Sequence, residues 1–262
     1  MIETKMIETN MIETIEYSTQ GHVAKIMLNN VATHNALGEN ELLALQQCFG
    51  LVEEDKNIRV LIITNHGQKT FCAGAALNQL STGKISPNSF QDTTDKLAAI
   101  RVPSICAING NVYGGGVELA LSCDFRVGIH GSHMRVPAAK LGLCYPINGI
   151  NRYVERLGVS LSKRILMAAE QFEADELLHV GFLDHLVDAS EIMKKTQELA
   201  DSIALLAPLA VQSMKQLLQQ AAEGGIDPDY AEELSKLCAE SEDLKEGFAA
   251  HREKRAPNFI GR

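Results

Sequence analysis

The sequence predicts an α/β fold, and two features of the chain support that prediction. Short apolar segments of strand length alternate with helical patterns from residue 23 to residue 187. After residue 190 the chain contains only helical patterns. Alternation of this kind indicates strands joined by helices, and a closing run of helices indicates a separate helical layer. We therefore expect an α/β core followed by a helical C-terminal region.

Hydrophobic periodicity places the elements along the chain. Short apolar runs predict strands at residues 23–28, 60–64, 104–108, 124–128 and 183–187. Apolar residues at helical spacing predict helices at residues 39–55, 148–157, 161–168 and 174–179. Beyond residue 190, the same spacing predicts helices at residues 191–206, 208–222, 228–240 and 243–255.

Two stretches depart from simple periodicity. Residues 78–92 are rich in Ser, Thr, Gly and Pro, so we expect a mobile loop there, followed by a helix to about residue 100. The first 14 residues contain Met-Ile-Glu-Thr three times, and this five-residue period matches no repeat fold. We interpret residues 1–14 as a flexible tail, residues 15–195 as the core and residues 196–262 as the helical region.

Composition limits the classes of partner. The 262 residues are 45% hydrophobic and 22% charged, and the formal net charge is -9. An acidic chain of this kind is a poor partner for nucleic acid or an anionic membrane. No apolar run reaches the roughly 20 residues that cross a bilayer, and no signal-peptide pattern opens the chain. We expect a cytoplasmic protein with no nucleic-acid or membrane partner.

The six cysteines show no C-x-x-C pair and no metal-ligand spacing. Most of them lie within apolar segments, which favours reduced thiols in the core. The histidines His66, His130 and His133 likewise show no ligand spacing with other donors. The sequence therefore predicts no metal site.

The strongest candidate site is the run Gly-Gly-Gly-Val-Glu at residues 114–118, which opens an apolar helix. Glycines let a ligand approach bare backbone, and the first amides of a helix have no internal partner. Glu118 follows Gly115 by three residues, so both lie on one helix face. An amide donor and a carboxylate directed at one point can stabilise an enolate and move the proton that creates it.

A simpler interpretation exists for each part of this run. A glycine cluster between a strand and a helix is often only a tight turn, and a glutamate in a first helical turn is often only a partner of the helix dipole. The neighbours of Glu118 are apolar, however, and a buried carboxylate is costly unless it is used or paired. We therefore favour a functional site.

A second run, Phe-Cys-Ala-Gly-Ala at residues 71–75, lies just beyond the strand at residues 60–64. Together with the segment Ile108–Ala120 and the following Cys123-Asp124, this run resembles the crotonase superfamily, the enoyl-CoA hydratase/isomerase group. The likeness continues in residues 137–142, in Gly-Phe-Leu at residues 181–183 and in Glu-Lys-Arg at residues 253–255. It covers nearly the whole chain after the tail.

The resemblance implies repeated ββα units in a superhelical core, and C-terminal helices that assemble a homotrimer or a dimer of trimers. It also implies acyl-CoA thioesters as substrates, with no cofactor besides the coenzyme A that the substrate carries. The positions that match the two thioester-binding amides are Ala75 and Gly115, and Glu118 matches the family's acid/base. The matching substrate-binding positions are Ala73, Gly74, Gly114, Pro137, Ala138, Tyr145 and Lys254. Lys254 matches a lysine near the CoA adenine, although His251 replaces a phenylalanine found in some members.

The sequence departs from the family's hydratases at one position. Those enzymes place a second glutamate directly after a proline, whereas here Ala138 follows Pro137. Two carboxylates normally hold and activate the water that adds to the substrate. Three outcomes stay open: a hydratase or isomerase with Glu118 as single acid/base, a decarboxylase that uses Tyr145, or a CoA-ester binder with little turnover. Tyr145 and Lys140 are candidates to replace the missing carboxylate, but a solvated surface position is the simpler interpretation of Lys140.

Other classes fit the sequence less well. An RNA-binding role, which one relative of this family has, would require a basic stripe with interleaved aromatic residues, and the chain has none. No P-loop motif, complete G-x-G-x-x-G motif or G-x-S-x-G motif is present.

Overall fold

The computed structural model describes residues 12–262, which form ten strands and ten α-helices. The strands are β1 Ile15–Gln20, β2 Val23–Leu28, β3 Val60–Asn65, β4 Thr70–Cys72, β5 Ser104–Ile108, β6 Asn111–Tyr113, β7 Phe125–Ile129, β8 His133–Arg135, β9 Gln171–Glu173 and β10 His185–Val187. The helices are α1 Glu39–Glu54, α2 Leu77–Ser81, α3 Pro87–Ala98, α4 Gly115–Leu121, α5 Ile147–Leu166, α6 Ala174–His179, α7 Ile192–Ala204, α8 Pro208–Ala222, α9 Pro228–Glu240 and α10 Glu242–Glu253. Two short 3₁₀ helices cover Val31–Thr33 and Ala138–Leu141.

The strands form two sheets. The larger sheet has the order β1-β2-β3-β5-β7-β10, and all its pairs are parallel except the β1–β2 hairpin. The smaller sheet has the order β4-β6-β8-β9, and only its last pair is antiparallel. Three times the chain passes from a strand of the larger sheet to a strand of the smaller sheet and then into a helix. The α/β prediction and the repeated ββα units are thus confirmed.

The larger sheet is buried on both faces, as its parallel strands require. On β3, Leu61 and Ile63 pack into the cluster that includes α1, while Val60 and Ile62 pack into the cluster that includes α7. This alternation follows from the period of two along a strand. The main core, which holds Glu118's helix, lies on the α1 side.

The C-terminal part of the chain is helical, as predicted. The expected boundary at residue 195 falls inside α7, which packs against β3, β5 and β7. Lys215 on α8 reaches back to the core, where Nζ lies 2.7 Å from Oδ2 of Asp124 and 2.9 Å from the carbonyl oxygen of Val102. This contact joins the helical region to the start of the site-bearing strands.

The prediction of a mobile loop at residues 78–92 is wrong for most of that segment. Residues Leu77–Ser81 form α2, and α3 already begins at Pro87. The Oγ of Ser86 accepts a hydrogen bond from the amide of Ser89, and Pro87 occupies the first helical turn. Serine at the N-cap followed by proline is a helix-start signal that outweighs the polar composition of the segment.

Several short elements carry too little sequence pattern to be found from periodicity. The four strands of the smaller sheet have three residues each.

The predicted break between the helices at residues 148–157 and 161–168 is present at Gly158. This residue lies inside α5 and has a non-helical φ of 74°. Of the expected tail at residues 1–14, residues 1–11 lie outside the described residues. The carbonyl oxygen of Thr14 accepts a hydrogen bond from Asn29.

The approach of α4 to β4 gives a test of this packing. A Cβ at Gly116 would lie 2.6 Å from the carbonyl oxygen of Cys72, closer than real Cβ contacts. We expect Gly116→Ala to lower the free energy of unfolding by roughly 1–3 kcal/mol through overpacking. Gly50→Ala is the matched control because Gly50 is an exposed helical glycine with no atom near its added Cβ. It should stabilise α1, and equal urea midpoints for the two variants would contradict the packing.

Candidate active site

At the start of α4, each of the three glycines at residues 114–116 meets a different steric constraint. Gly114 has φ 50° and ψ -124°, a conformation that residues with a Cβ rarely adopt. Gly115 lies under the ring of Phe90, which an added Cβ would displace. Gly116 lies against Cys72. The turn therefore presses the first residues of α4 against the segment that follows β4.

Two backbone amides are left without acceptors at this junction. Leu37 donates to the carbonyl oxygen of Gly74 at 2.8 Å and accepts from the amide of Ala76 at 2.9 Å, which forms a parallel bridge around Ala75. The amide of Ala75 consequently points away from Leu37. Gly115 is the first residue of α4, so its amide has no partner within the helix. Within residues 12–262, neither amide donates a hydrogen bond.

Ala75, Gly115 and Glu118 share one small cavity of about 50 Å³. Most of the lining is apolar. Its other lining residues are Leu80, Ser86, Pro87, Phe90, Leu143, Tyr145 and Pro146. The cavity has space for a reacting group of a few atoms, and its lining includes Ala75, Gly115 and Glu118.

Glu118 is 2% exposed and is held through one oxygen. Its Oε1 accepts hydrogen bonds from Oγ1 of Thr94 at 3.0 Å and from Nη1 of Arg152 at 3.2 Å. Burial raises the pKa of Glu118 above its ordinary value, while Arg152 and Thr94 oppose that rise. Within the described part of the chain, Oε2 has no hydrogen-bond partner, so this oxygen is available to a ligand.

Tyr145 and Gly149 lie beside this carboxylate. A Cβ at Gly149 would lie 3.1 Å from Oε1 of Glu118 and 3.2 Å from Cδ1 of Tyr145. The Tyr145 ring meets the Tyr153 ring edge to face, with centroids 5.7 Å apart. Burial raises the pKa of Tyr145, and the charge of Glu118 raises it further. Tyr145 therefore stays a neutral phenol at physiological pH.

The other predicted site residues lie outside the cavity lining. Gly74 and Gly114 form the turns behind the two amides, next to Ala73: a Cβ at Gly74 would lie 2.5 Å from the amide nitrogen of Gly115. Pro137 precedes the 3₁₀ helix Ala138–Leu141. Ala138 is buried and packs into the main core. Glu118 is consequently the one carboxylate among the residues that line this cavity.

Two predicted or candidate lysines are exposed. Lys254 forms the C-terminal cap of α10 in a left-handed conformation with φ 54°. Lys140 lies on the 3₁₀ helix that follows Pro137. Neither lysine lines the cavity that holds Glu118. The simpler interpretation of Lys140 as a surface residue fits its exposure.

The sequence reasoning missed Arg152, Thr94 and Asp95. Arg152 joins two carboxylates, because its Nη2 also lies 2.7 Å from Oδ1 of Asp95. A signal for Arg152 was present in the sequence: Gly149, Arg152 and Tyr153 are spaced to share the inner face of α5, where a charged residue needs a partner. The identity of that partner could not be read from the spacing.

The structure also bears on two other expectations. No helix within residues 12–262 combines the length and apolar character needed to cross a membrane. Over the same residues, no group of three or more His, Cys, Asp or Glu side chains is arranged to hold a metal ion.

Comparisons with known proteins agree on one family. The family model described as enoyl-CoA hydratase/isomerase matches residues 18–262. The short-chain-enoyl-CoA hydratase of Clostridium acetobutylicum is 31% identical over 243 residues, which cover 90% of this chain and 93% of that protein. The carnitinyl-CoA dehydratase of Proteus mirabilis is 32% identical over 260 residues, covering 95% of this chain and 99% of that protein.

Solved structures resemble this chain over almost its full length. The enoyl-CoA hydratase of Bacillus anthracis superimposes with a TM-score of 0.87 at 28% identity. The match covers 95% of this chain and 100% of that structure's chain. DspI of Pseudomonas aeruginosa superimposes with a TM-score of 0.89 at 29% identity and covers 98% of this chain and 100% of its own.

The environment of Glu118 predicts an unusual titration. We expect its carboxyl group to titrate above its ordinary value of 4.5, because burial outweighs the contacts with Arg152 and Thr94. The measurement is a ¹³C NMR titration of protein labelled at glutamate carboxyl carbons, with Glu118→Gln identifying the signal. A signal that titrates at or below the ordinary value would contradict the assignment of burial as the dominant effect.

Proposed function

This chain belongs to the enoyl-CoA hydratase/isomerase family, and we propose that it acts on enoyl thioesters of coenzyme A with Glu118 as its single acid/base. The names of its relatives include short-chain-enoyl-CoA hydratase and carnitinyl-CoA dehydratase, and also 2,3-dehydroadipyl-CoA hydratase in Escherichia coli. Each of these names describes addition or removal of water on an acyl-CoA. The reaction proposed for this chain therefore takes place at the Cα and Cβ, or Cα and Cγ, atoms of a thioester.

The two unpaired amides are the proposed oxyanion hole. A thioester carbonyl gains negative charge when a proton leaves Cα or when a nucleophile adds at Cβ. In this proposal the unpaired amides of Ala75 and Gly115, two residues that line the cavity, stabilise that charge. Removing one such donor typically costs about 10²–10³ in rate.

The observation that carries the proposal is the position of Glu118 in the same cavity as these amides. Its Oε2 faces no protein donor, and its other oxygen is fixed by Thr94 and Arg152. A carboxylate in this position can remove a proton from Cα and return it to Cγ, or deprotonate a water and then protonate Cα. The first reaction is an isomerisation and the second a hydration, and both proceed through charge on the thioester oxygen.

A second candidate function is decarboxylation of a carboxyacyl-CoA, which needs the two amides and a group that binds the leaving carboxylate. Tyr145 favours it, because its neutral phenol lines the cavity. Glu118 disfavours it, because an ionised carboxylate would repel a substrate carboxylate in so small a space. A low-activity binder of CoA esters is the third candidate, supported by Ala138 in place of the second glutamate.

We also propose which residues surround the rest of the substrate. Ala73, Gly74, Gly114, Pro137 and Ala138 would lie along the thioester and its pantetheine arm, and Lys254 would contact the adenine end. No cofactor besides the coenzyme A of the substrate is required.

The proposal also includes a homotrimer or a dimer of trimers in the cytoplasm. The C-terminal helices expose large apolar side chains that assembly would cover, including Leu218 at 71% and Phe248 at 70%. None of the six cysteines forms a disulfide within the described residues, which fits a reducing compartment.

Glu118→Gln tests the proposal directly. Glutamine keeps the shape of the side chain and can still accept from Arg152, but it cannot transfer a proton. We expect turnover of crotonyl-CoA or 3-hexenoyl-CoA to fall by about 10²–10⁴, the usual contribution of a general acid/base. Affinity for the unreactive butyryl-CoA, measured by calorimetry, should stay close to that of the native protein. Native turnover in the variant, or no turnover of either thioester by the native protein, would overturn the proposal.

Gly149→Ala tests whether Glu118 needs its open neighbour. The added methyl group would crowd Oε1 of Glu118 and the Tyr145 ring, so we expect kcat to fall. Stability should change by no more than about 1 kcal/mol, because alanine is the better helix former. Gly247→Ala on α10 is the matched control, since its added Cβ would make an ordinary contact of 3.6 Å with Phe259. Equal kcat values for the two variants would contradict the role given to this neighbour.

A further inference from the structure

The guanidinium of Arg152 is buried between carboxylates from two other helices. Arg152 on α5 is 8% exposed. Its Nη1 donates to Oε1 of Glu118 on α4 at 3.2 Å, and its Nη2 donates to Oδ1 of Asp95 on α3 at 2.7 Å. The ion pair therefore joins three helices at one point.

The contacts with Glu118 all converge on the same oxygen. Thr94, the residue before Asp95, donates to Oε1 at 3.0 Å, and Nη1 of Arg152 also lies 3.4 Å from Oγ1 of Thr94. A carboxylate held through one oxygen by two donors has a fixed plane, and its second oxygen keeps a fixed direction. That second oxygen is the one that faces no donor within the described residues.

Arg152 contributes nothing to the wall of the cavity that holds Glu118. It lines instead a separate polar cavity of about 460 Å³ on the other side of the ion pair, together with Asp95, Glu155 and Glu223. Arg152 therefore does not contact a group bound in the small cavity, and Glu118 is the residue through which it would act on the reaction.

The charges around Glu118 are predominantly negative or neutral. The groups that face it or the ion pair are Thr94 and Asp95 on α3, Tyr145 before α5, Arg152, Tyr153 and Glu155 on α5, and Glu223 on α8. Among the described residues, Arg152 is the cation that acts on Glu118, whereas Arg156 acts on Glu155 together with Arg152. Without Arg152, burial and the nearby Asp95 would both favour the protonated form of Glu118.

From this geometry we propose that Arg152 is a positioning residue for Glu118, and that Asp95 in turn holds Arg152. The inference rests on the proposed function. Arg152 directs Oε2 toward the reacting atoms and keeps the buried carboxylate ionised, so that Glu118 can accept a proton. Asp95 fixes the guanidinium but adds negative charge, so its two effects on Glu118 have opposite signs.

Arg152→Gln is the principal test, with kcat and KM measured across pH. Glutamine removes the positive charge and one of the two nitrogens that join Glu118 to Asp95. We expect kcat at neutral pH to fall roughly 10²-fold, as expected for a misplaced catalytic group, while KM stays close to native. The acidic limb of the kcat profile should move to higher pH, because Glu118 then loses its cation. A role in stability alone would leave that limb unmoved.

Two further variants separate charge from geometry, and they report on the proposal even if Arg152→Gln does not fold. Arg152→Lys keeps the positive charge but has one nitrogen where arginine uses two. The acidic limb of its kcat profile should stay near native while kcat falls. Asp95→Asn frees the guanidinium and removes a negative charge, so its acidic limb should move to lower pH while kcat falls.

Arg126→Gln is the matched control. Arg126 is 5% exposed and donates to the carbonyl oxygens of Cys123 and Phe182, away from Glu118. This variant should lose stability and keep the native acidic limb.

The outcomes distinguish this inference from the proposed function. If Glu118→Gln keeps native turnover, the proposed function fails. If Glu118→Gln is inactive while the folded Arg152 and Asp95 variants keep the native kcat and acidic limb, only the inference fails. An equal displacement of the limb in Arg126→Gln would also overturn it.

Discussion

The ion pair between Glu118 and Arg152 is the interaction on which the site depends. A carboxylate with almost no solvent contact is stable only if it is protonated, paired or hydrogen-bonded. Here a guanidinium from α5 and a hydroxyl from α3 provide the pairing, and a second carboxylate on α3 completes it. The relative positions of α3, α4 and α5 are therefore tied to the same contacts that orient the carboxylate. Structure and chemistry are coupled at this point of the core.

The close backbone packing that glycine permits is the second constraint on the site. The turn before α4 and the segment after β4 approach so closely that a side chain at Gly116 or Gly74 would meet backbone atoms. That approach brings together Ala75 and Gly115, which line one cavity, and within the described residues neither of their amides donates a hydrogen bond. The larger sheet then serves as the support for the turns, since β3, β5 and β7 are parallel neighbours whose ends lead into the smaller sheet. The proposed oxyanion hole is thus a consequence of how strand ends and a helix start pack together.

Periodicity predicted the long elements, because segments such as α1 and β3 bury one face or both faces along their whole length. It did not predict the four strands of the smaller sheet, in which too few side chains define a face, nor α2 and the start of α3, where a capping serine outweighed polar composition. Gly115 and Glu118 could be named from the local run at residues 114–118, whereas Ala75 was named through the family resemblance. Arg152 lies 34 residues from Glu118, and only the folding of α5 onto α4 brings the two together. The missing carboxylate at Ala138 was visible in the sequence, whereas the pairing of Arg152 with Glu118 was not.

In the proposed reaction, one carboxylate moves a proton on a thioester whose oxygen is held by two amides. The most direct measurement is incubation of the native protein with crotonyl-CoA, 3-hexenoyl-CoA and methylmalonyl-CoA in deuterated water, followed by mass spectrometry of the thioesters. We expect a product that has gained water, or a shifted double bond, with deuterium carried at carbon. Unchanged thioesters in all three incubations, or loss of carbon dioxide from methylmalonyl-CoA alone, would contradict the proposed reaction.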